Sequence, residues 1–317
     1  GDLQTLRDTL RPVQLPPESG EPIEVDVPAL ASGAAAAGQL LALLDRPLSA
    51  PRALVLLLHG LGGSSAREGL RRMGLALQGA GFAVLRLNLR GADPGRHLAG
   101  GTYAARCNSD LLPVIARARA LAQGRPLLGA GISLGGTMLL NACLDAPGVL
   151  DGLFCASSPL DLAACSASIE RPRNRIYQRW LLKRLVRQTL ADPFGVSALE
   201  QTLLHGAAAP RTIRAFDSAV TAPRWGFADV EAYYREASPL QHLLATPDCL
   251  PPTLLLQALD DPWVPAADAQ ALASALPASG NVRVLFTARG GHNGFHGRAG
   301  CWGDQLAVAW LGSILDR

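Results

Sequence analysis

One serine in the chain stands where a nucleophile would. Gly131-Ile132-Ser133-Leu134-Gly135-Gly136 follows an apolar run and precedes a helical pattern, which places Ser133 at a sharp strand-to-helix turn within a G-x-S-x-G motif. Such a turn has no room for side chains two positions to either side, a condition Gly131 and Gly135 meet. The helix that begins there aims its N-terminus at developing negative charge. A Gly-rich turn with an incidental serine is the bland alternative. A dinucleotide loop fits worse, because Gly129-Ala130-Gly131-Ile132-Ser133-Leu134 lacks the third glycine of G-x-G-x-x-G.

A serine nucleophile needs an oxyanion site, a base and an orienting acid. His59-Gly60-Leu61-Gly62-Gly63-Ser64-Ser65 closes an upstream apolar run, where the second oxyanion N–H of such sites arises. The backbone N–H groups of Leu134 and Leu61 are the expected oxyanion donors, with Gly62 as the competing one. His59 reads as a brace for the turn rather than as the base. Acid and base should then follow in the order Ser, Asp, His. Gln257-Ala258-Leu259-Asp260-Asp261-Pro262-Trp263-Val264-Pro265 supplies the acid, Asp261 chosen and Asp260 the runner-up. Gly290-Gly291-His292-Asn293-Gly294-Phe295-His296 supplies the base, His292 chosen over His296. The i, i+4 histidines could suggest a metal pair. Gly294 between them breaks any helix and no H-E-x-x-H glutamate is present, so neither metal nor cofactor is expected.

The elements that must position these residues are legible as alternation. Strands are expected at Ile23–Val27, Ala53–Leu58, Phe82–Leu87, Leu127–Ile132, Gly152–Ala156, Thr253–Gln257 and Val282–Phe286. Helical patterns lie near Ala66–Gln78, Asp110–Ala122, Leu134–Leu144, Ala266–Ala275 and Asp304–Leu315. Runs 53–58 and 127–132 are apolar almost throughout, as strands buried on both faces require. The whole predicts a mostly parallel sheet flanked by helices. From about Leu160 to Ser238 the alternation stops and a more charged, helical stretch intervenes, with Arg171–Leu190 its clearest element. This predicts a core over 1–159 and 239–317 with a helical cap, 160–238, over the carboxyl ends of the strands, where open α/β sheets bind ligands.

Composition excludes several classes. The 317 residues are 49% hydrophobic and 17% charged, too apolar for disorder, and the net charge of +3 is too small for a nucleic-acid footprint. Lys183, the only lysine, follows Leu182, so no P-loop exists. Six scattered cysteines without a C-x-x-C pair suit a reducing compartment. The Ala- and Gly-rich charge-free stretch from Ala29 to Leu44 falls short of the ~20 residues a membrane span needs. The opening Gly1-Asp2-Leu3-Gln4 has no basic-then-apolar secretory pattern, and a cytoplasmic location is expected.

Taken together, His59-Gly60-Leu61-Gly62-Gly63-Ser64-Ser65, Asn88-Leu89-Arg90-Gly91, Gly131-Ile132-Ser133-Leu134-Gly135-Gly136 and Gly290-Gly291-His292-x-Gly294-Phe295 resemble the YheT-like α/β-hydrolases. That group is related to plant embryogenesis-associated proteins, animal abhydrolase-domain phospholipases and fungal medium-chain ester synthases. Arg211-Thr212-Ile213-Arg214-Ala215-Phe216-Asp217, Thr221-Ala222-Pro223, Gly226-Phe227 and Tyr233-Tyr234 resemble the family's cap signature. Arg211, Arg214 and Asp217 are expected to form structural ion pairs. Leu3-Gln4-Thr5-Leu6 resembles its N-terminal His-x-Gln-Thr, with Asp2 in place of the histidine. Where members often carry Tyr-His-Ser-Gly, this chain has Tyr103-Ala104-Ala105-Arg106, so no substrate role is carried over to that loop.

The resemblance implies an α/β-hydrolase fold and a serine carboxyl-ester hydrolase acting on short- to medium-chain acyl or lipid esters, with Ser133, Asp261 and His292 as the triad. An acyltransferase or thioesterase with the same triad is the alternative, and a non-enzymatic binding protein a more distant one. One feature stands apart from the resemblance. Arg175, Arg179, Lys183 and Arg187 recur every four residues along one helix face, while Ile176, Trp180, Leu185 and Val186 are assigned to a different, apolar face. Like charges at this spacing repel. Acidic neighbours or solvent would offset them, or an anionic surface, giving peripheral membrane contact through this helix.

Overall fold

The computed structural model describes residues 1–246, 248–277, 279–298 and 300–316. Eight strands form one sheet: β1 (Glu21–Val27), β2 (Gly38–Asp45), β3 (Leu54–Leu58), β4 (Ala83–Leu87), β5 (Leu127–Ile132), β6 (Gly152–Ala156), β7 (Thr253–Ala258) and β8 (Val282–Thr287). Their spatial order is β1-β2-β4-β3-β5-β6-β7-β8. β1 and β2 pair antiparallel with each other, as do β2 and β4, and all remaining pairs are parallel.

Side chains alternate across β3 and feed two separate cores. Leu54, Leu56 and Leu58 join one apolar cluster with Leu111, Val114, Met138 and Leu139, from helices Asn108–Ala122 and Leu134–Asp145. Val55 and Leu57 join another with Leu70, Met73, Leu77, Ala307 and Leu311, from helices Glu68–Gly79 and Trp302–Leu315. Every β3 residue is therefore buried, which is why the strand reads as an unbroken apolar run. This is the α/β-hydrolase architecture that the motifs implied.

Each expected strand forms, with ends shifted by at most a residue or two. β2 was not expected. Its sequence, Gly-Gln-Leu-Leu-Ala-Leu-Leu-Asp, has no β-branched residue, and it is a strand because β1 and β4 hydrogen-bond it on both edges. Between β6 and β7 the described residues form helices and turns, including Leu162–Ile169, Arg175–Leu190, Ala198–Leu204 and Val230–Ala237. The helix expected at 171–190 begins at Arg175, because Pro172 opens a separate 3₁₀ turn, Pro172–Asn174. This helical segment has its own small core, built around Ile169, Leu181, Leu185, Phe216 and Val220.

Candidate active site

Ser133 sits between β5 and the helix Leu134–Asp145 with φ 54° and ψ −127°, a left-handed backbone that a non-glycine residue adopts only under strong constraint. The constraint is crowding. A Cβ on Gly131 would lie 2.4 Å from the Gly136 nitrogen, and one on Gly135 2.6 Å from the Leu58 and His59 carbonyl oxygens. The turn thus lifts the serine hydroxyl clear of the sheet. Ser133 Oγ lies 2.9 Å from His292 Nε2, and His292 Nδ1 lies 3.0 Å from Asp261 Oδ2. Asp261 is a carboxylate in an acceptor role, so its partner Nδ1 carries the proton and Nε2 is free to take one from the serine. The other Asp261 oxygen accepts the Trp263 and Val264 N–H groups at 2.8 and 3.0 Å, which locks the carboxylate.

The two adjacent aspartates do different things. Asp260 Oδ1 accepts the N–H groups of Gly290 and Gly291 at 2.9 and 2.8 Å, and so ties the start of the His292 loop to the end of β7. His296 turns away from the serine and stands 2.7 Å from Asp8.

Both expected oxyanion donors, the N–H groups of Leu61 and Leu134, have no intramolecular acceptor among the described residues. The competing donor is occupied: Gly62 N–H donates to Tyr103 Oη at 2.6 Å. His59 donates from Nδ1 to the Gly60 carbonyl at 2.8 Å and accepts the Leu89 N–H at Nε2, 3.3 Å. Full burial pushes its pKa down to about 4, so it stays neutral and holds the loop.

A cavity of about 340 Å³ opens onto Ser133 and His292. Leu134 and Trp263 from the sheet side and Leu162, Ile169, Leu181, Ile213 and Tyr234 from the helical segment give it a mostly apolar wall. Two residues the sequence did not single out matter here. Trp263 lies against the His292 ring, centroids 4.4 Å apart, and Tyr103 fixes the 59–65 loop through the Gly62 N–H. Trp263 stands within the acid turn and was within reach of a sequence reading; the role of Tyr103 depends on a contact across 41 residues. Arg90, from Asn88-Leu89-Arg90-Gly91, makes a fully buried two-point pair with Asp110 that fastens the β4 loop to the helix Asn108–Ala122.

Two expectations need correction. Ile176 and Trp180 are 80% and 54% exposed and share the outward side of their helix with the cations, whereas Leu185 is buried. A helix packed through Gln178, Leu181, Leu182 and Leu185 turns positions 176 and 180 to solvent. In the cap signature, Arg214 pairs with Glu231, but Asp217 pairs with no cation among the described residues. It accepts hydrogen bonds from the Thr221 and Tyr234 hydroxyls at 2.7 and 2.8 Å, and burial pushes its pKa up to about 6. Arg211 forms no ion pair among the described residues.

Comparison with known proteins agrees with this architecture. A family model described as serine aminopeptidase, S33, matches residues 49–297. Phospholipase ABHD3 of Mus musculus is 31% identical over 262 residues, covering 80% of this chain and 60% of that protein. YheT of Escherichia coli (strain K12), which carries an esterase's name, is 34% identical over 207 residues, covering 60% of this chain and 56% of that protein. The chain thus spans less than two thirds of these relatives. The solved structure of Est1E from Butyrivibrio proteoclasticus matches with a TM-score of 0.57 at 15% identity, over 94% of this chain and 100% of that one, a likeness of fold. The chain belongs to the YheT-like group of α/β-hydrolases, within the family described as serine aminopeptidase, S33.

Proposed function

We propose that the protein is a serine carboxyl-ester hydrolase whose substrates are short- to medium-chain acyl or lipid esters. The observation that carries this reading is the unbroken line Ser133 Oγ, His292 Nε2, His292 Nδ1, Asp261 Oδ2, with links of 2.9 and 3.0 Å at the floor of an apolar cavity. His292 takes the Ser133 proton as Oγ attacks the acyl carbonyl, and Asp261 holds the imidazole and stabilises the cation that forms. The unoccupied Leu61 and Leu134 N–H groups are the donors for the tetrahedral oxyanion. His292 then protonates the departing alcohol, and water resolves the acyl-enzyme. The segment 160–238 acts as a cap, since its apolar side chains form the outer wall of the cavity. The esterase and phospholipase names of the relatives favour an oxygen ester.

Peripheral contact with an anionic membrane belongs to the same reading. Within the helix Arg175–Leu190, Arg175, Arg179, Lys183, Arg184 and Arg187 pair with no carboxylate among the described residues, while Arg173, Arg214, Arg224 and Arg235 nearby all do. Trp180 and Arg184 also line the cavity, so a surface bound by this helix would adjoin its mouth.

The test is labelling by a fluorophosphonate probe together with turnover of p-nitrophenyl esters from C2 to C12. Wild type should label and turn over, and Ser133→Ala and His292→Ala should do neither. Labelling that persists in Ser133→Ala would refute the assignment. Parallel turnover of matched thioesters separates an esterase from a thioesterase.

A further inference from the structure

The loop that carries His292 is an uncomfortable piece of backbone. Gly291, Asn293 and Phe295 have φ of 56°, 59° and 46°, so left-handed residues alternate through it and two of them are not glycine. Such backbone persists only where its surroundings over-determine it. Asp260 holds one end, as described above. Ser157 Oγ accepts the Asn293 N–H at 3.2 Å, and further ties come from a segment almost 290 residues away in sequence.

Thr5 Oγ1 accepts the backbone N–H of His292 itself at 2.8 Å. Gln4 clamps the peptide of His296 from both sides: its Oε1 accepts the His296 N–H at 2.9 Å, and its Nε2 donates to the His296 carbonyl at 3.1 Å. The approach is close enough to dictate sequence. A Cβ on Gly291 would lie 2.6 Å from Thr5 Oγ1, and one on Gly294 would lie 2.5 Å from the Gln4 carbonyl oxygen. The glycines either side of the histidine thus leave room for the approach of Gln4 and Thr5, together with the Gly1 and Gly290 carbonyl oxygens. Asp8 continues the tie, standing 2.7 Å from His296 and 2.6 Å from Arg72, which in turn pairs with Asp304.

We infer that Gln4 and Thr5 are positioning residues: they hold the His292 loop so that Nε2 stays within hydrogen-bond reach of Ser133. Thr5 acts on the backbone of the base and Gln4 on the far end of its loop. This rests on the reading of His292 as the base. Neither residue touches the cavity, so their loss acts on the turnover step and spares substrate binding.

The experiment compares wild type, Thr5→Val, Thr5→Ser and Gln4→Leu by two readouts. Hydrogen–deuterium exchange over residues 288–297 reports the tether whether or not the protein turns over any ester. Thr5→Val and Gln4→Leu should exchange there about threefold to tenfold faster, the size of one lost hydrogen bond, while Thr5→Ser stays at the wild-type rate. In fluorophosphonate labelling and ester hydrolysis, Thr5→Val should lose about ten- to a hundredfold in kcat with KM within about twofold, and Thr5→Ser should recover most of it. Unchanged exchange in Thr5→Val and Gln4→Leu overturns the tether. Faster exchange with undiminished labelling overturns the positioning role. Equal loss in Thr5→Val and Thr5→Ser would mean that packing at residue 5, not its hydroxyl, is what counts. Wild type that exchanges as expected but never labels would instead defeat the esterase reading.

Discussion

Tyr103 Oη and the Gly62 N–H meet at 2.6 Å, and this one bond sorts the donors of the His59-to-Ser65 loop. Gly62 is consumed inside the protein, and Leu61 is left facing the cavity. Phenylalanine at 103 would keep the ring but leave a buried N–H unpaired, at a cost of about 1–3 kcal/mol. Tyr103→Phe should therefore lower the urea midpoint and reduce kcat by several-fold, with KM little changed. Wild-type kcat in a destabilised Tyr103→Phe would show that the loop keeps its shape without the phenol.

The neighbouring carboxylates should separate cleanly under mutation. Asp261→Asn replaces the acceptor on His292 Nδ1 and should reduce kcat by about 10⁴-fold, the scale of a lost triad carboxylate. Asp260→Asn keeps an oxygen for the Gly290 and Gly291 N–H groups and should cost far less. Steady-state rates at saturating ester decide between them, and the reverse ranking would exchange their roles.

Asp217 makes a prediction about pH and stability. Its carboxyl is raised from 3.8 to about 6, chiefly by burial, with the Thr221 and Tyr234 hydroxyls pulling the other way. Between those values the folded state keeps a proton that the unfolded chain has released, so folding stability falls as pH rises from about 4 to about 6. The penalty is then fully present at pH 7, on the order of 3 kcal/mol. Asp217→Asn should remove that part of the slope. Urea melts of both proteins at pH 4, 5, 6 and 7 should converge at the acid end and separate in favour of the variant above it. Parallel curves would mean that Asp217 ionises freely in the fold.

The basic helix is tested with vesicles. Wild type should float with phosphatidylcholine vesicles containing phosphatidylglycerol and remain behind with phosphatidylcholine alone, and added salt should weaken the binding. Lys183→Glu combined with Arg187→Glu, neither of which lines the cavity, should abolish flotation while leaving hydrolysis of a soluble ester in place, and Trp180→Ala should weaken flotation. Binding indifferent to headgroup charge would set the membrane reading aside.

The parts of this molecule legible in sequence are those dictated by local chemistry. The glycine-flanked serine, the apolar runs of β3 and β5 and the helices behind them all follow from short-range pattern. β2 was hidden because leucine and alanine carry no strand preference of their own, and its neighbours decide its shape. Trp180 was misplaced because a helix face is assigned by what packs on it, and residues 178, 181, 182 and 185 turned the other way. Tyr103, Gln4 and Thr5 serve the site through partners far off in the chain. Pattern within a window of ten or twenty residues cannot contain them.

The Ser133 and His292 side chains meet across 159 residues, and His292 in turn leans on Thr5 across 287. Proteins are made from one end, and contacts of this span form late. On the proposed mechanism, a ribosome that has delivered Ser133, its turn and the 59–65 loop has delivered a nucleophile with no base beside it. On that mechanism the nascent polypeptide stays inert until the stretch around residue 296 has emerged and folded against Thr5. Activity would then report that Thr5 and His292 have been brought into one fold.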